Sequence, residues 1–450
     1  MIEMSGKYTT AKIMIDDVDS GCISMIQNIL SHPACTNPVA IMPDTHLGKG
    51  IVIGFTMPLS NKIVPNWVGV DIGCGVRVVS IPDCYDMENL NFEELDKRIR
   101  KSIPLGTNIN KTECSDQDIQ LLCDLTNDAY RSFKVSYEKL YDVILPDYRA
   151  DLLWFENLCK RISTLTHQVR CSLGSLGGGN HYLEIGKSEQ EYGNVKYWAS
   201  VHSGSRNFGL KIANYHQNKA KEALENKRKM VENEIKTKIL NDPSNIRERD
   251  SLIKDLKKKF DNDPSVDLRN SEYLDGTDMY EYIFDMIFAQ AFSVLNRKKM
   301  TDVILRCISE MTGKVSIGSI PRVIESIHNY IDFEDLVIRK GAISSHSENI
   351  SIIPLNMRDG SLITIGKSNP EWNYSAPHGA GRIHSRTKAK ELLKLEDFEK
   401  EMEGIFSTSV RESTLDESPM AYKDMNFIID SIEPTCEIVD RIIPIYNLKA

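Results

Sequence analysis

The chain predicts a mixed α/β (α+β) fold in one large domain, with a β-rich core, covering helices and a projecting charged helical hairpin. Three observations carry this. Segments of alternating apolar and polar residues beside Gly- and Asn-rich turns read as strands. Longer Gly- and Pro-free runs read as helices. No Pro/Ser/Gly-rich linker divides the 450 residues, although length alone suggests about three domains. Residues 1–450 are therefore read as a single unit.

Val68–Ile81 alternates around Asp71-Ile72-Gly73-Cys74 and predicts strand, turn, strand. Asp86–Arg100 and Leu121–Tyr141 predict amphipathic covering helices. Val195–Val201 predicts a strand that delivers His202 at its end. Lys211–Asp261 is rich in Lys and Glu and interrupted at Asn241-Asp242-Pro243-Ser244, the pattern of a helical hairpin inserted in the domain. Its charge fits a solvated face, or an arm that meets RNA or a partner. Tyr280–Lys298 places Phe, Ile and Met at helical spacing and predicts a core helix. Asn349–Ile353 and Ser361–Ile365 predict a strand pair joined by the Pro354–Gly360 loop, and Ser385–Lys400 predicts a helix.

Hydrophobic content of 41% and charged content of 26% are those of a globular protein. The first residues lack a basic flank followed by an apolar core, which argues against a secretory signal. No run approaches ~18 apolar residues, so no membrane-spanning helix is expected. Ten scattered cysteines form no Cys-x-x-Cys pair. That argues against a zinc ribbon or a disulfide framework and predicts a reducing, cytoplasmic location. A net charge of −9 disfavours a binder of long duplexes. It favours a small anionic ligand, or a local basic patch that grips a short piece of nucleic acid.

The chemistry concentrates in a few turns. Asp71-x-x-Cys74 puts a carboxylate and a thiol on one tight turn. Such a thiolate can bridge two divalent ions, and it can equally be a buried free cysteine beside a turn-stabilising Asp. His181, His202 and His328 add imidazole donors, and the set together favours a transition-metal centre, zinc or manganese. Asn180 and Asn329 neighbour two of these histidines. His378 lies in Pro377-His378-Gly379-Ala380-Gly381-Arg382, a loop able to turn backbone N–H groups toward phosphate. There it serves as a phosphate ligand, a general acid or a covalent nucleophile. Ser203, Arg206, Arg382 and Arg386 are candidate contacts to RNA phosphates, and Arg339-Lys340 with Lys388 and Lys390 would extend a basic path.

Met42-Pro43-Asp44-x-His46, Val70-Asp71-Ile72-Gly73-Cys74-Gly75, Gly177-Gly178-Gly179-Asn180-His181, His202-Ser203-Gly204-Ser205-Arg206, His328-Asn329, Arg339-Lys340-Gly341-Ala342 and His378-Gly379-Ala380-Gly381-Arg382 together resemble the RtcB-type RNA-splicing ligases. These motifs follow the family's order over nearly the whole chain. The resemblance implies a GTP- and Mn2+-dependent ligase of RNA repair or tRNA splicing. It would join 2′,3′-cyclic phosphate or 3′-phosphate RNA ends to 5′-hydroxyl ends. Asp71, Cys74 and His181 would hold one Mn2+, and Cys74, His202 and His328 the other. His378 would become the GMP-carrying histidine. GTP contacts would come from Asn180, His181, Glu184, His328, Asn329, Pro354, Asn356, Met357, Ser361, His378, Gly379, Ala380, Gly381, Tyr422 and Lys449. The family's Pro-Gly-Ser-Met-like loop is here Pro354-Leu355-Asn356-Met357, which marks a divergent member.

The expected partner is RNA bearing those ends, handled by a monomer away from any membrane; an activating protein is left open. Two other readings, a metal-dependent cyclic phosphodiesterase and a non-catalytic RNA-end binder, make different predictions. The first would form no His378 adduct with GTP. The second would bind RNA ends unchanged after Cys74→Ala.

Overall fold

The computed structural model describes residues 1–240, 251, 254, 271–315 and 320–450. Two larger sheets organise them. One runs β1 (Ile2–Ser5), β2 (Thr10–Ile13), β3 (Val39–His46), β4 (Ile53–Pro58), β12 (Val337–Lys340) and β11 (Asn329–Ile331). The other runs β10 (Val323–Ile327), β6 (Gly75–Ser80), β8 (Tyr197–Ser203), β7 (Tyr182–Ser188), β17 (Cys436–Lys449), β15 (Gly360–Gly366) and β14 (Ile350–Asn356). Two short ladders join β5 (Lys62–Ile63) to β9 (Leu274–Asp275) and β13 (Ala342–Ser344) to β16 (Ser375–Pro377).

Strand alternation in the second sheet does what a two-faced sheet requires. Val79, Leu183, Ala199 and Val201 pack on one face against Leu95, Ile99, Met300, Ile304 and Ile308. Val76, Val78, Trp198, Ile352, Ile363 and Ile442 pack on the other. The first face is covered by α3 (Phe92–Ser102) and by the C-terminal half of α8 (Gly276–Thr312). Each such aliphatic side chain contributes roughly 1.5–3 kcal/mol on burial. The 37-residue α8 is buried on nearly every side along its middle, from Tyr282 to Asn296, and runs through the protein interior.

Several elements differ from the sequence reading. The first strand expected in Val68–Ile81 does not form: Val68 ends a short helix, α2 (Pro65–Val68), which Pro65 starts and Gly69 stops at φ 107°, and the chain from Gly69 to Cys74 is bend and turn. Only Gly75–Ser80 is strand. The helix expected at Asp86 begins at Phe92, where the Asn91 side chain caps Glu94 N–H. The Leu121–Tyr141 helix starts earlier, as α4 (Asp116–Tyr141), because Ser115 and Asp118 close a capping box. The core helix predicted at Tyr280–Lys298 extends to the full span of α8. Ser385–Lys400 divides into α9 (Arg386–Leu392) and α10 (Leu395–Glu401), since Leu393 is extended and packs with Leu395 near Phe398. The first arm of the predicted hairpin is part of α7 (Arg206–Leu240). Its turn at Asn241–Ser244 and return arm lie outside the described residues, Ser251 and Lys254 apart. No helix among the described residues is long and apolar enough to cross a membrane.

Candidate metal centre and nucleotide cavity

Strand register brings the distant ligand candidates together. In the second sheet Gly75 pairs with both Ile327 and Ser203, and His202 pairs with both Val76 and Tyr182. Cys74 precedes β6, His328 follows β10, His181 precedes β7, and His202 sits within β8 next to its last residue. Four neighbouring strands therefore present these side chains at one end of the sheet. Backbone bonds from His328 N–H to Cys74 O (2.9 Å) and from Gly73 N–H to Asn329 O (2.7 Å) lock two of the segments together.

The side chains converge. Cys74 Sγ lies 3.4 Å from His181 Nε2 and 3.4 Å from His202 Nε2. His202 Nε2 lies 3.4 Å from His328 Nε2, and His181 Nε2 lies 3.0 Å from Asp71 Oδ2. His181 Nδ1 contacts Leu176 O (3.0 Å) and His202 Nδ1–H donates to Asn180 O (3.2 Å), which aims both Nε2 atoms at the sulfur. Burial and neighbouring imidazoles push His202 and His328 well below the usual histidine range, so both rings are neutral donors. Burial and the Asp71 carboxylate push the Cys74 thiol well up. Burial opposes ionisation of Asp71, but the His181 contact prevails and holds it low. Neutral nitrogens, a carboxylate and a sulfur that needs a nearby cation to ionise make a set that fits divalent metal. Two groups can each hold an ion, Asp71/Cys74/His181 and Cys74/His202/His328, with the sulfur common to both.

Gly204 permits this packing. A Cβ there would sit 2.2 Å from Asp71 Oδ1, so any side chain would displace the carboxylate.

His378 borders the centre, its ring centroid 4.7 Å from that of His328. Its Nδ1–H donates to Asp44 Oδ2 (2.7 Å), and Asp44 is fully buried. Nε2 is thus the nitrogen left to react. Asp44 was legible only as part of a motif; its role emerges from a contact spanning 334 residues. Lys423 Nζ donates to Pro43 O (2.8 Å) and its N–H to Gly381 O (3.1 Å), which clamps the His378 loop onto the Asp44 segment. If His378 is the reactive group, Asp44→Asn is expected to slow adduct formation by on the order of 10²–10⁴-fold with the fold intact, because the ring loses its tautomer and orientation. A variant within about twofold of wild type in a single-turnover assay would remove Asp44 from the account.

A cavity of about 910 Å³ opens beside His378, within the size range of ligand pockets. Asn180, Glu184, His202, Pro354, Asn356, Met357, Gly379, Ala380, Gly381, Arg382, Arg386, Tyr422 and Lys449 line it. Ser361 is not among the lining residues; it is buried on β15. On the floor, Asn447 Nδ2 donates to Glu184 Oε2 (2.9 Å), while Glu184 Oε1 and Asn447 Oδ1 are buried without a partner. Lys449 Nζ reaches Glu417 Oε2 (2.5 Å), and Tyr422 OH donates to the same oxygen (2.7 Å). Asn447 and Glu417 were missed in the sequence: a lone Asn within a strand and an acid in a short turn carry no pattern.

Burial pushes the Glu184 carboxyl up to about 8, against the pull of Asn447 and Lys449. The folded state therefore holds a proton that the unfolded chain releases near pH ~4.3. Its stabilising share is complete below that value and is lost as pH rises through about 8. Between pH 5 and 8 the wild type is expected to lose thermal stability faster than Glu184→Gln. Parallel melting curves across that window would contradict the assignment.

Other predicted residues have internal partners. Asn356 Oδ1 accepts from the N–H groups of Arg358 and Asp359 and shapes the β14–β15 turn, while Leu355 packs in the core. Asn329 donates to Asp71 O and accepts from Gly341 N–H. Ala380 N–H donates to Pro354 O. Arg382 binds Glu417, Tyr422 and Asp416 O; Arg386 binds Asp416 and Glu417 at the rim, its side chain still half exposed. Arg206 turns inward to Ser175 Oγ and Gly106 O. Ser203 departs from expectation: its hydroxyl is buried and donates to Leu176 O, out of reach of RNA phosphate. The expected basic path through Arg339-Lys340 is also corrected. Arg339 is buried in ion pairs with Asp332 and Asp335, and buried Lys340 donates to Lys49 O and Asn66 O.

The chain that carries this fold and this Cys/His/Asp cluster belongs to the ligase family described as tRNA-splicing ligase RtcB, whose model matches residues 25–450. Among its relatives is the RNA-splicing ligase RtcB of Escherichia coli (strain K12), 28% identical over 434 residues, covering 94% of this chain and 92% of that protein. The tRNA-splicing ligase RtcB of Nanoarchaeum equitans is 25% identical and covers 94% of this chain and 90% of its own length.

Proposed function

We propose that this protein is a GTP- and Mn2+-dependent RNA ligase that joins 2′,3′-cyclic phosphate or 3′-phosphate ends to 5′-hydroxyl ends. The observation that carries the reading is His378, oriented by buried Asp44, packed beside the candidate metal-ligand His328 and lining a nucleotide-sized cavity. Asp71, Cys74, His181, His202 and His328 would hold two Mn2+ ions, which supply charge neutralisation and Lewis acidity at phosphorus.

The residues perform the rest. Glu184, with one unpaired oxygen, is an acceptor for the N–H edge of guanine, and Lys449 balances its charge when it ionises. His378 Nε2 attacks the α-phosphorus of GTP; the N–P bond forms as the α–β phosphoanhydride breaks and pyrophosphate leaves. The Nδ1 proton stays on His378 throughout, and the Asp44 carboxylate that accepts its hydrogen bond offsets the charge that develops on the ring. An RNA 3′-phosphate oxygen then takes GMP from Nε2, freeing the imidazole. Finally the 5′-hydroxyl attacks the 3′-phosphate, the phosphodiester forms and GMP departs. A cyclic end is first opened by water to the 3′-phosphate.

The test is ligation of a cyclic-phosphate RNA to a 5′-hydroxyl RNA. Product that requires both GTP and Mn2+ is expected; product formed without GTP, or ring opening with no joining, would reject the proposal. Because Arg206 and Arg382 are engaged internally, few phosphates should be neutralised. The log–log salt slope of RNA binding is expected to be no steeper than about −3. A slope beyond about −5.6 would implicate the 211–261 arm instead.

A further inference from the structure

Helix α8 carries three polar side chains that no step above uses. Ser293, Asn296 and Arg297 are all fully buried, and their i, i+3, i+4 spacing puts them on one face. Each grips backbone of a segment that bears a metal-ligand candidate. Ser293 Oγ lies 2.8 Å from Ile72 O and 2.9 Å from Ala289 O one turn back on its own helix, so its one proton bridges the turn and the helix. Arg297 donates from one nitrogen to Gly73 O and Ser203 O, both at 2.7 Å, and from Nε to Glu325 (2.8 Å), a carboxylate it shares with Arg77. Asn296 Nδ2 lies 3.1 Å from each of Ser175 O, Ser203 Oγ and Gly204 O, and its Oδ1 accepts from Gly174 and Ser175 N–H.

These bonds reach the ligands in one further step. Ile72 and Gly73 lie between Asp71 and Cys74 on the turn. Ser203 follows His202, and its hydroxyl donates to Leu176 O, the same carbonyl that His181 Nδ1 contacts. The turn is seated directly on the helix, since a Cβ at Gly73 would lie 2.8 Å from Ser293 Oγ and 2.9 Å from the Gln290 Cα. Three loops far apart in sequence are thus registered against a single rigid element.

We infer that Ser293, Asn296 and Arg297 are positioning residues that assemble the divalent-metal centre by fixing the backbone of its ligand-bearing loops to α8. The inference rests on the two-ion reading above. Losing such outer contacts typically weakens metal binding by about 10–100-fold. Mn2+ binding to the full chain, read by electron paramagnetic resonance without GTP or RNA, tests it. Arg297→Lys keeps the charge but loses the fork and should weaken Mn2+ by about 10–100-fold. Ser293→Ala removes one hydroxyl from a helix interior, is expected to fold, and should weaken it by about 10-fold, with little change in the metal-free melting temperature. Ile304→Val, an apolar change further along α8, should lower the melting temperature without altering Mn2+ affinity, as a merely structural role would.

Wild-type affinity in folded Ser293→Ala overturns the inference even if Arg297→Lys fails to fold. Wild-type protein that takes up no Mn2+ would sink the two-ion reading as well, so the two failures are distinguishable.

Discussion

Cys74→Ala is expected to eliminate ligation by more than ~100-fold while the protein remains folded, because one sulfur belongs to both candidate metal groups. Outer-contact changes typically cost about 10–100-fold; removal of an atom shared by two ions should exceed that range. The fold should tolerate the change. Cys74 is buried, but it stands at a turn held by backbone bonds from His328 and Gly73, and alanine keeps the Cβ. The metal readout is as informative as the rate. Wild type should bind two Mn2+ and Cys74→Ala fewer, with weaker affinity. Two tightly bound ions in the variant, or ligation within about tenfold of wild type, would show that the sulfur is not shared.

His378→Asn is expected to reduce ligation of a 3′-phosphate RNA by at least ~10⁴-fold, the scale on which loss of an oriented catalytic group acts. Asparagine keeps an amide able to donate to Asp44, so the cavity should retain its shape and GTP should still bind. The informative control is an RNA supplied with its 3′-phosphate already guanylylated. His378 has no nucleophilic part in the joining step, so the variant should seal that RNA to a 5′-hydroxyl end within about tenfold of wild type, a loss small beside the first. Equal loss on both substrates would assign His378 to phosphate binding in place of covalent transfer.

The site was legible where its chemistry lies in short, unusual strings. Asp71-x-x-Cys74, Gly179-Asn180-His181 and His202-Ser203-Gly204 combine ligands with glycines that permit close approach, and strand register then juxtaposes them. Asp44 was visible only as part of a motif, since nothing local shows that it meets a histidine 334 residues away. Ser293, Asn296 and Arg297 were hidden in a helix whose apolar period marks core. Arg339-Lys340 misled because a basic pair suggests surface, whereas Asp332 and Asp335 pair with buried Arg339 and the distant Lys49 and Asn66 carbonyls take up Lys340. The strand pair expected at Asn349–Ile353 and Ser361–Ile365 forms because alternation is a local signal, but β14 runs on to Asn356 and β15 starts at Gly360, so the expected Pro354–Gly360 loop shrinks to Met357–Asp359. Helix limits at Phe92 and Leu393 shifted because caps and packing set them, not composition.

The most direct measurement is incubation of the intact protein with α-labelled GTP and Mn2+, without RNA, followed by peptide mapping. A label that is acid-labile, lies on the peptide containing His378 and disappears in His378→Asn is the predicted result. No covalent label at saturating GTP, or an acid-stable one on another residue, would contradict the account.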